Sequence, residues 1–286
     1  MGFDPKTNKY PYPESTDQHY IVLKKNDGTV FDAEYAYNDT SRGFRFKKFL
    51  VRVCLNVLVY PIARIRLGLK IKGRENLKKH REELKNGALS CANHVHFWDY
   101  IAVMRALRPI HPNVLVWAPN VRGENAKLIR LTGGIPIPEN DARATLSFMR
   151  SIREILDSAG WLHIYAEGSM WEYYRPIRPF KSGIGYIACR YEKPILPMAF
   201  SYRKPGWIRQ RIFRQLAVFT LTIGEPLFPD PALDFKDREI DLVTRCHNEV
   251  CRLAGIEPDE DLYPPVFHDS KRVDYYTDTY GEGYYK

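Results

Sequence analysis

Residues 88–107 read ALSCANHVHFWDYIAVMRAL. A short apolar run, 88–92, gives way to a mainly polar and aromatic heptapeptide, Asn93 to Asp99, and then to an apolar stretch of helical character ending at Leu107. Strand, loop and helix in such quick succession form the repeating unit of an α/β sheet buried on both faces. The same alternation recurs to the C-terminal side. Short apolar runs at 88–92, 114–117, 134–137, 161–166, 195–200 and 217–223 predict strands. Helical spacing predicts helices over 99–107, 126–131, 141–158, 183–191 and 236–254. The fold class read from this pattern is α/β: a mixed, largely buried sheet flanked by helices. At the other end, runs at 20–23 and 30–37 flank Asn26-Asp27-Gly28, a hairpin signal.

The loop after the first run carries the chemistry. His94 and Asp99 stand five positions apart at a strand end. A carboxylate that holds one ring nitrogen fixes the tautomer and leaves the other free to take a proton, which is what a general base requires. The competing reading is structural: Asp99 precedes a helix and could serve as its N-cap.

Charge is unevenly distributed. Between Arg42 and Lys85 stand 14 Lys or Arg against 3 Asp or Glu, a net +11 in a chain of net +9, so the remainder is slightly acidic. The stretch 44–63 reads FRFKKFLVRVCLNVLVYPIA, and its longest uncharged run, 53–63, has 11 residues, well short of the ~20 of a spanning helix. Arg45, Lys48, Arg52 and Asn56 make a narrow polar stripe on an otherwise apolar helix. Such a helix suits a membrane interface, with basic groups among phosphates. The N-terminus lacks an apolar signal region, and five cysteines without a Cys-x-x-Cys pair read as reduced thiols. The expected location is peripheral, on the cytoplasmic face of a membrane. No nucleic-acid motif accompanies the charge.

Three further clusters follow. Gly133-Gly134 precedes Ile135-Pro136-Ile137, where a missing side chain permits close approach to a ligand. Glu167-Gly168-Ser169 ends an apolar strand; Glu167 suits a hydroxyl, and the Gly168 and Ser169 amides suit an oxyanion. Arg175, Arg178 and Lys181 bring three cations to the same loop. The run around Ile195-Leu196-Pro197 suits a channel wall or a core strand. A basic cluster with Arg203, Lys204, Arg209, Arg211 and Arg214, interleaved with Trp207 and Phe213, suits headgroups or an acidic acyl donor, or is a solvated loop.

In their order, Asn93-His94 with Asp99, Gly134-Ile135-Pro136-Ile137, Glu167-Gly168-Ser169 and Ile195-Leu196-Pro197 resemble the blocks of the glycerolipid acyltransferase family, typified by 1-acylglycerol-3-phosphate acyltransferases. The resemblance covers about residues 45–225. It implies an O-acyltransferase that moves a fatty acyl group from acyl-CoA or acyl carrier protein to the hydroxyl of a lysophospholipid or related glycerolipid, with no cofactor and no metal. It implies His94 as the base and Asp99 as its orienting acid, with Asn93, Gly134, Glu167, Gly168, Ser169, Arg175, Arg178 and Lys181 on the substrate side. Met170 and Glu139 stand where the family carries arginines associated with phosphate. Either Arg175, Arg178, Lys181 or Arg143 substitutes, or the acceptor is not a lysophosphatidate. The rival chemistries are a metal-dependent hydrolase using His94, His96 and Asp99, completed by His163 or Glu167, and a non-enzymatic membrane-surface protein. The expected division is an extension over 1–43, a basic membrane-associating segment over 44–85, a catalytic domain over 86–255 and a Tyr- and Asp-rich tail over 256–286.

Overall fold

The structure is a computed structural model, and it describes residues 27–256 apart from Glu124, Asn140, Phe213, Arg214 and Leu216. A helical segment comes first: α1 (Arg42–Cys54), a π-helical turn (Leu55–Val59) and α2 (Tyr60–Leu67). Then follow β1 (Lys70–Lys72), α3 (Arg74–Lys79), α4 (Arg81–Leu84), β2 (Ala88–Cys91), α5 (Asp99–Ala106), β3 (Asn113–Trp117), α6 (Ala126–Leu131), β4 (Gly134–Ile137), α7 (Ala142–Asp157), β5 (Trp161–Ile164), α8 (Gly183–Arg190), β6 (Ile195–Arg203), α9 (Trp207–Arg211), β7 (Val218–Ile223) and α10 (Phe235–Ala254).

The strands form one seven-stranded sheet in the order β1-β7-β6-β2-β5-β3-β4. All neighbours are parallel except β6 and β7. β2 is central, so its carboxyl end opens between the ends of β5 and β6, where parallel sheets place their ligands. The alternation of side chains along β2 explains the burial of both faces. Leu89 and Cys91 point into a core with α7, α8 and α10, whereas Ala88 and Ala92 point into a second core with α5, Trp161, Leu196 and Phe219.

All six sequence-predicted strands and all five helices are present within a few residues of their expected ends. The hairpin is not. Residues 30–37 form turns, tied by the Tyr37 hydroxyl to the Phe31 carbonyl at 2.8 Å, and 20–23 lie outside the described residues, as does the 263–286 tail. Three aromatics in this stretch pack edge-on as a cluster (Phe31, Tyr35, Tyr37), which competes successfully with strand pairing.

The α1–α2 segment lies against α5 through Leu55, Tyr60 and Met104. Its opposite side leaves Phe46, Phe49, Leu50, Val53, Val57, Leu58, Ile62 and Ile65 exposed, each at 44% or more. No helix among the described residues is long and apolar enough to cross a membrane.

Candidate active site

The loop from β2 to α5 carries His94 and Asp99 to the carboxyl end of the sheet. His94 Nδ1 lies 2.7 Å from Asp99 Oδ2. The carboxylate accepts a hydrogen bond from Nδ1–H, so the neutral ring keeps its lone pair on Nε2. Asp99 is buried, whereas the His94 side chain keeps 23% of its surface open.

Asp99 is not the cap of α5. Trp98 occupies that position, and Asp99 is the first helical residue. Its carboxylate turns back on the loop instead, accepting the amides of Val95 at 3.0 Å and His96 at 3.3 Å on the same oxygen that meets His94. Burial would raise its carboxyl, but adjacent His94 and hydrogen bonds from His94, Tyr165 and the His96 amide hold it below the ordinary carboxylate range. Its place in the first turn of α5 favours the charge further.

Tyr165 is the residue that the sequence did not single out. Its ring stacks on His94 with centroids 3.9 Å apart and planes 12° apart. Its hydroxyl donates to Asp99 Oδ1 at 2.8 Å. Burial and the Asp99 charge hold this phenol well above its ordinary range, so it remains the donor. Beneath it, fully buried His163 meets Ser90 Oγ through Nδ1 at 3.0 Å, and burial pushes its pKa down to about 3.

Glu167 joins the site as a brace. Its Oε2 accepts the His94 amide at 3.0 Å and Arg178 Nη2 at 2.8 Å, and its Oε1 accepts the Arg178 amide at 2.9 Å. Arg178 also donates to Ser169 Oγ at 2.8 Å and to the Ser169 carbonyl, and stacks over Trp171 at 4.5 Å. Glu167, Ser169 and Arg178 are all buried. Apart from Arg178 Nε, their side-chain polar atoms are spent on one another and on the loop backbone, not turned toward solvent. The Gly168 amide likewise donates to the Tyr165 carbonyl at 2.9 Å, so it is not an available oxyanion donor. Gly168 needs its glycine: φ is +81°, and an added Cβ would lie 2.7 Å from Lys181 Cε. The exposed Lys181 side chain therefore crosses directly over this turn.

Two other expected residues sit apart from this cluster. The Asn93 side chain pairs with the Phe200 backbone, accepting its amide at 2.7 Å and donating to its carbonyl at 3.1 Å, which stitches β2 to β6. Gly134 lies on the edge strand, and its missing side chain permits the close approach of Ile129, 2.5 Å from a built Cβ. Glu139 is paired with Arg122 at 2.7 Å, and Arg143 is exposed at the start of α7. His96 turns away from His94: its Nδ1 accepts the Trp98 amide at 3.0 Å, its ring packs on Tyr173 and Phe219, and burial lowers its pKa to about 4. Among the described residues, no three His, Cys, Asp or Glu side chains converge as a metal site would need.

Residues 68–201 match the Acyltransferase family model. That stretch, just under half of the chain, is similar to the acyltransferase family. The matched stretch holds β2 through most of β6, and with them His94, Asp99, Tyr165, Glu167 and Arg178; α1–α2 precedes it. Among solved structures this chain is similar to the 1-acyl-sn-glycerophosphate (LPA) acyltransferase PlsC from Thermotoga maritima. The two share 17% identity over 77% of this chain and 84% of that one, with a TM-score of 0.49. No curated protein matches the chain.

Proposed function

We propose that this chain is an acyltransferase, moving a fatty acyl group from acyl-CoA or acyl carrier protein to the hydroxyl of a lysophospholipid or related glycerolipid. The observation that carries the reading is the His94–Asp99 pair, with Nδ1 held at 2.7 Å and Nε2 left open. Nε2 removes the acceptor proton as the oxygen attacks the thioester carbonyl carbon. The tetrahedral adduct collapses with cleavage of the C–S bond, and the imidazolium returns its proton to the departing sulfur. Asp99 stabilises that imidazolium, and Tyr165 keeps acid and base aligned. No acyl-enzyme is required.

The acceptor and donor meet at a leaflet surface. The exposed apolar side of α1–α2 supports this, and it is extended by α9, whose Trp207 and Ile208 are exposed and whose Arg209 Nη1 donates to the Ile65 carbonyl at 2.6 Å. Phe97, exposed at 66% in the catalytic loop itself, and Arg66 stacked 5.3 Å over Trp98 bring that surface to the site. With Arg178 committed to Glu167, Lys181 is the cation best placed for an acceptor phosphate. Thioester consumption with a panel of lysolipids, read by product mass, tests the reading. Turnover that His94→Ala abolishes is expected; equal turnover by wild type and His94→Ala sinks it.

A further inference from the structure

A cavity of about 420 Å³ lies at the opposite end of the sheet from His94. Lys85 and Trp161 place it at the amino ends of β2 and β5, and Arg52 of α1 and Arg81 of α4 form its walls. The size suits a small ligand. Its floor is apolar, made by Leu84, Ile110 and Trp161, and its rim carries Arg52, Arg81, Lys85 and His111 with no carboxylate lining it among the described residues. Lys85 reaches Glu82 at 2.8 Å in an exposed pair, which is worth little. Arg52, Arg81 and His111 make no side-chain hydrogen bond or ion pair with the described residues.

The positive charge continues inward. Lys48 lies one turn before Arg52 and shares a smaller adjoining void with Arg52 and His111. Its ammonium donates to Asn113 Oδ1 at 2.9 Å and meets no acid among the described residues. Burial, then Arg52 and Arg130, push its pKa down to about 8. His111 is lowered by burial and then by Arg52, Arg108 and Lys48. Arginines and lysines held together against their own repulsion, over an apolar floor and beside the N–H of an uncharged His111, fit an anion with an apolar body.

We propose that this cavity binds a phosphate-bearing ligand, its phosphate on Arg52, Arg81, Lys85 and His111 and its apolar part on Trp161 and Leu84, at a site separate from the catalytic pair. Two sources share this chemistry: a phospholipid headgroup and a soluble phosphate ester. The lipid source rests on the leaflet-facing reading above, since exposed Val53 adjoins Arg52 on α1; the site itself does not.

The test follows the His111 ring by NMR while inorganic phosphate or glycerol phosphate is added. Separate co-sedimentation uses vesicles of phosphatidylcholine, with or without phosphatidic acid. Arg52→Gln and Arg81→Gln should each weaken binding about fivefold, the effect of one cation near an anionic surface. Lys70→Gln removes an exposed cation outside the cavity and should leave binding near wild type. A response to vesicles alone identifies lipid as the source, and a response to the soluble phosphates alone identifies a soluble ester. Equal losses in Lys70→Gln would show diffuse attraction and overturn the proposal. So would wild-type binding in both cavity variants, with thermal melts showing them folded. His94→Ala should bind as wild type does; its loss of binding would place the phosphate at the catalytic pair and refute a separate site. Failure of acyl transfer alone would leave these results standing.

Discussion

The two ends of the sheet treat charge in opposite ways. At the carboxyl end, Asp99, Glu167 and Arg178 are all buried and all partnered, and the pairing fixes where His94 sits. At the amino end, Lys48, Arg52 and Arg81 gather beside His111, and no carboxylate among the described residues lines the cavity. The contrast separates two uses of the same residue types. Charges that satisfy one another build geometry, whereas charges left facing a cavity retain the capacity to bind.

Substitutions can break this contrast, and the largest effect belongs to the base. His94→Ala should lower kcat by about 10²–10⁴ while leaving the urea midpoint almost unchanged. Steady-state kinetics beside denaturation will show whether rate and stability separate. Next is Arg178→Ala, which strands Glu167 as a buried unpaired charge and should cost about 3–5 kcal/mol of stability. A sharply higher acceptor KM with an unchanged midpoint would return Arg178 to phosphate binding.

Tyr165→Phe keeps the stack but removes a hydrogen bond to a carboxylate, a loss of about 1.5–3 kcal/mol. Freed of that donor, Asp99 holds the imidazolium more tightly, so the acid limb of the kcat–pH profile should move to higher pH. An unmoved limb would reduce Tyr165 to a packing residue.

The smallest effect probes the other end of the sheet. The folded-state pKa of Lys48 lies below its unfolded value of 10.5, at about 8. Between these values the unfolded chain binds more protons, so this lysine makes stability rise with pH across that window. Lys48→Met should remove the rise and stabilise the protein at neutral pH by about 1–2 kcal/mol. Unfolding curves at pH 7 and pH 10 decide; a variant whose pH dependence matches wild type would show that Lys48 is not strained.

Much of this was legible in the chain itself. Short apolar runs between helical stretches located every strand of the parallel core, because burial on both faces leaves little room for polar residues. The His94–Asp99 spacing was equally readable, since five residues of loop bring the two side chains together locally. β1 was missed, since a three-residue strand reading Lys-Ile-Lys carries no apolar run. Glu167 and Arg178 were each singled out, but as groups facing substrate. Their pairing depends on the 168–177 loop folding back over eleven positions, which no local pattern encodes. Tyr165 was invisible for a related reason: its partners lie 66 and 71 positions away on another strand's loop.

The π-helical turn at Leu55–Val59 has its own consequence. At about 100° per residue, Leu50, Val53 and Val57 fall within roughly 40° of Phe46 around the axis, but an unbroken α-helix would swing Ile62 and Ile65 about 160° and 100° away. One additional residue in a single turn takes back about 100° and returns both to the same side. The bulge thus acts as a phase corrector, letting two helices with different registers present one continuous greasy ridge. Deleting Val57 should divide that ridge between two faces and weaken vesicle co-sedimentation; undiminished sedimentation would show that the ridge is not what meets the lipid.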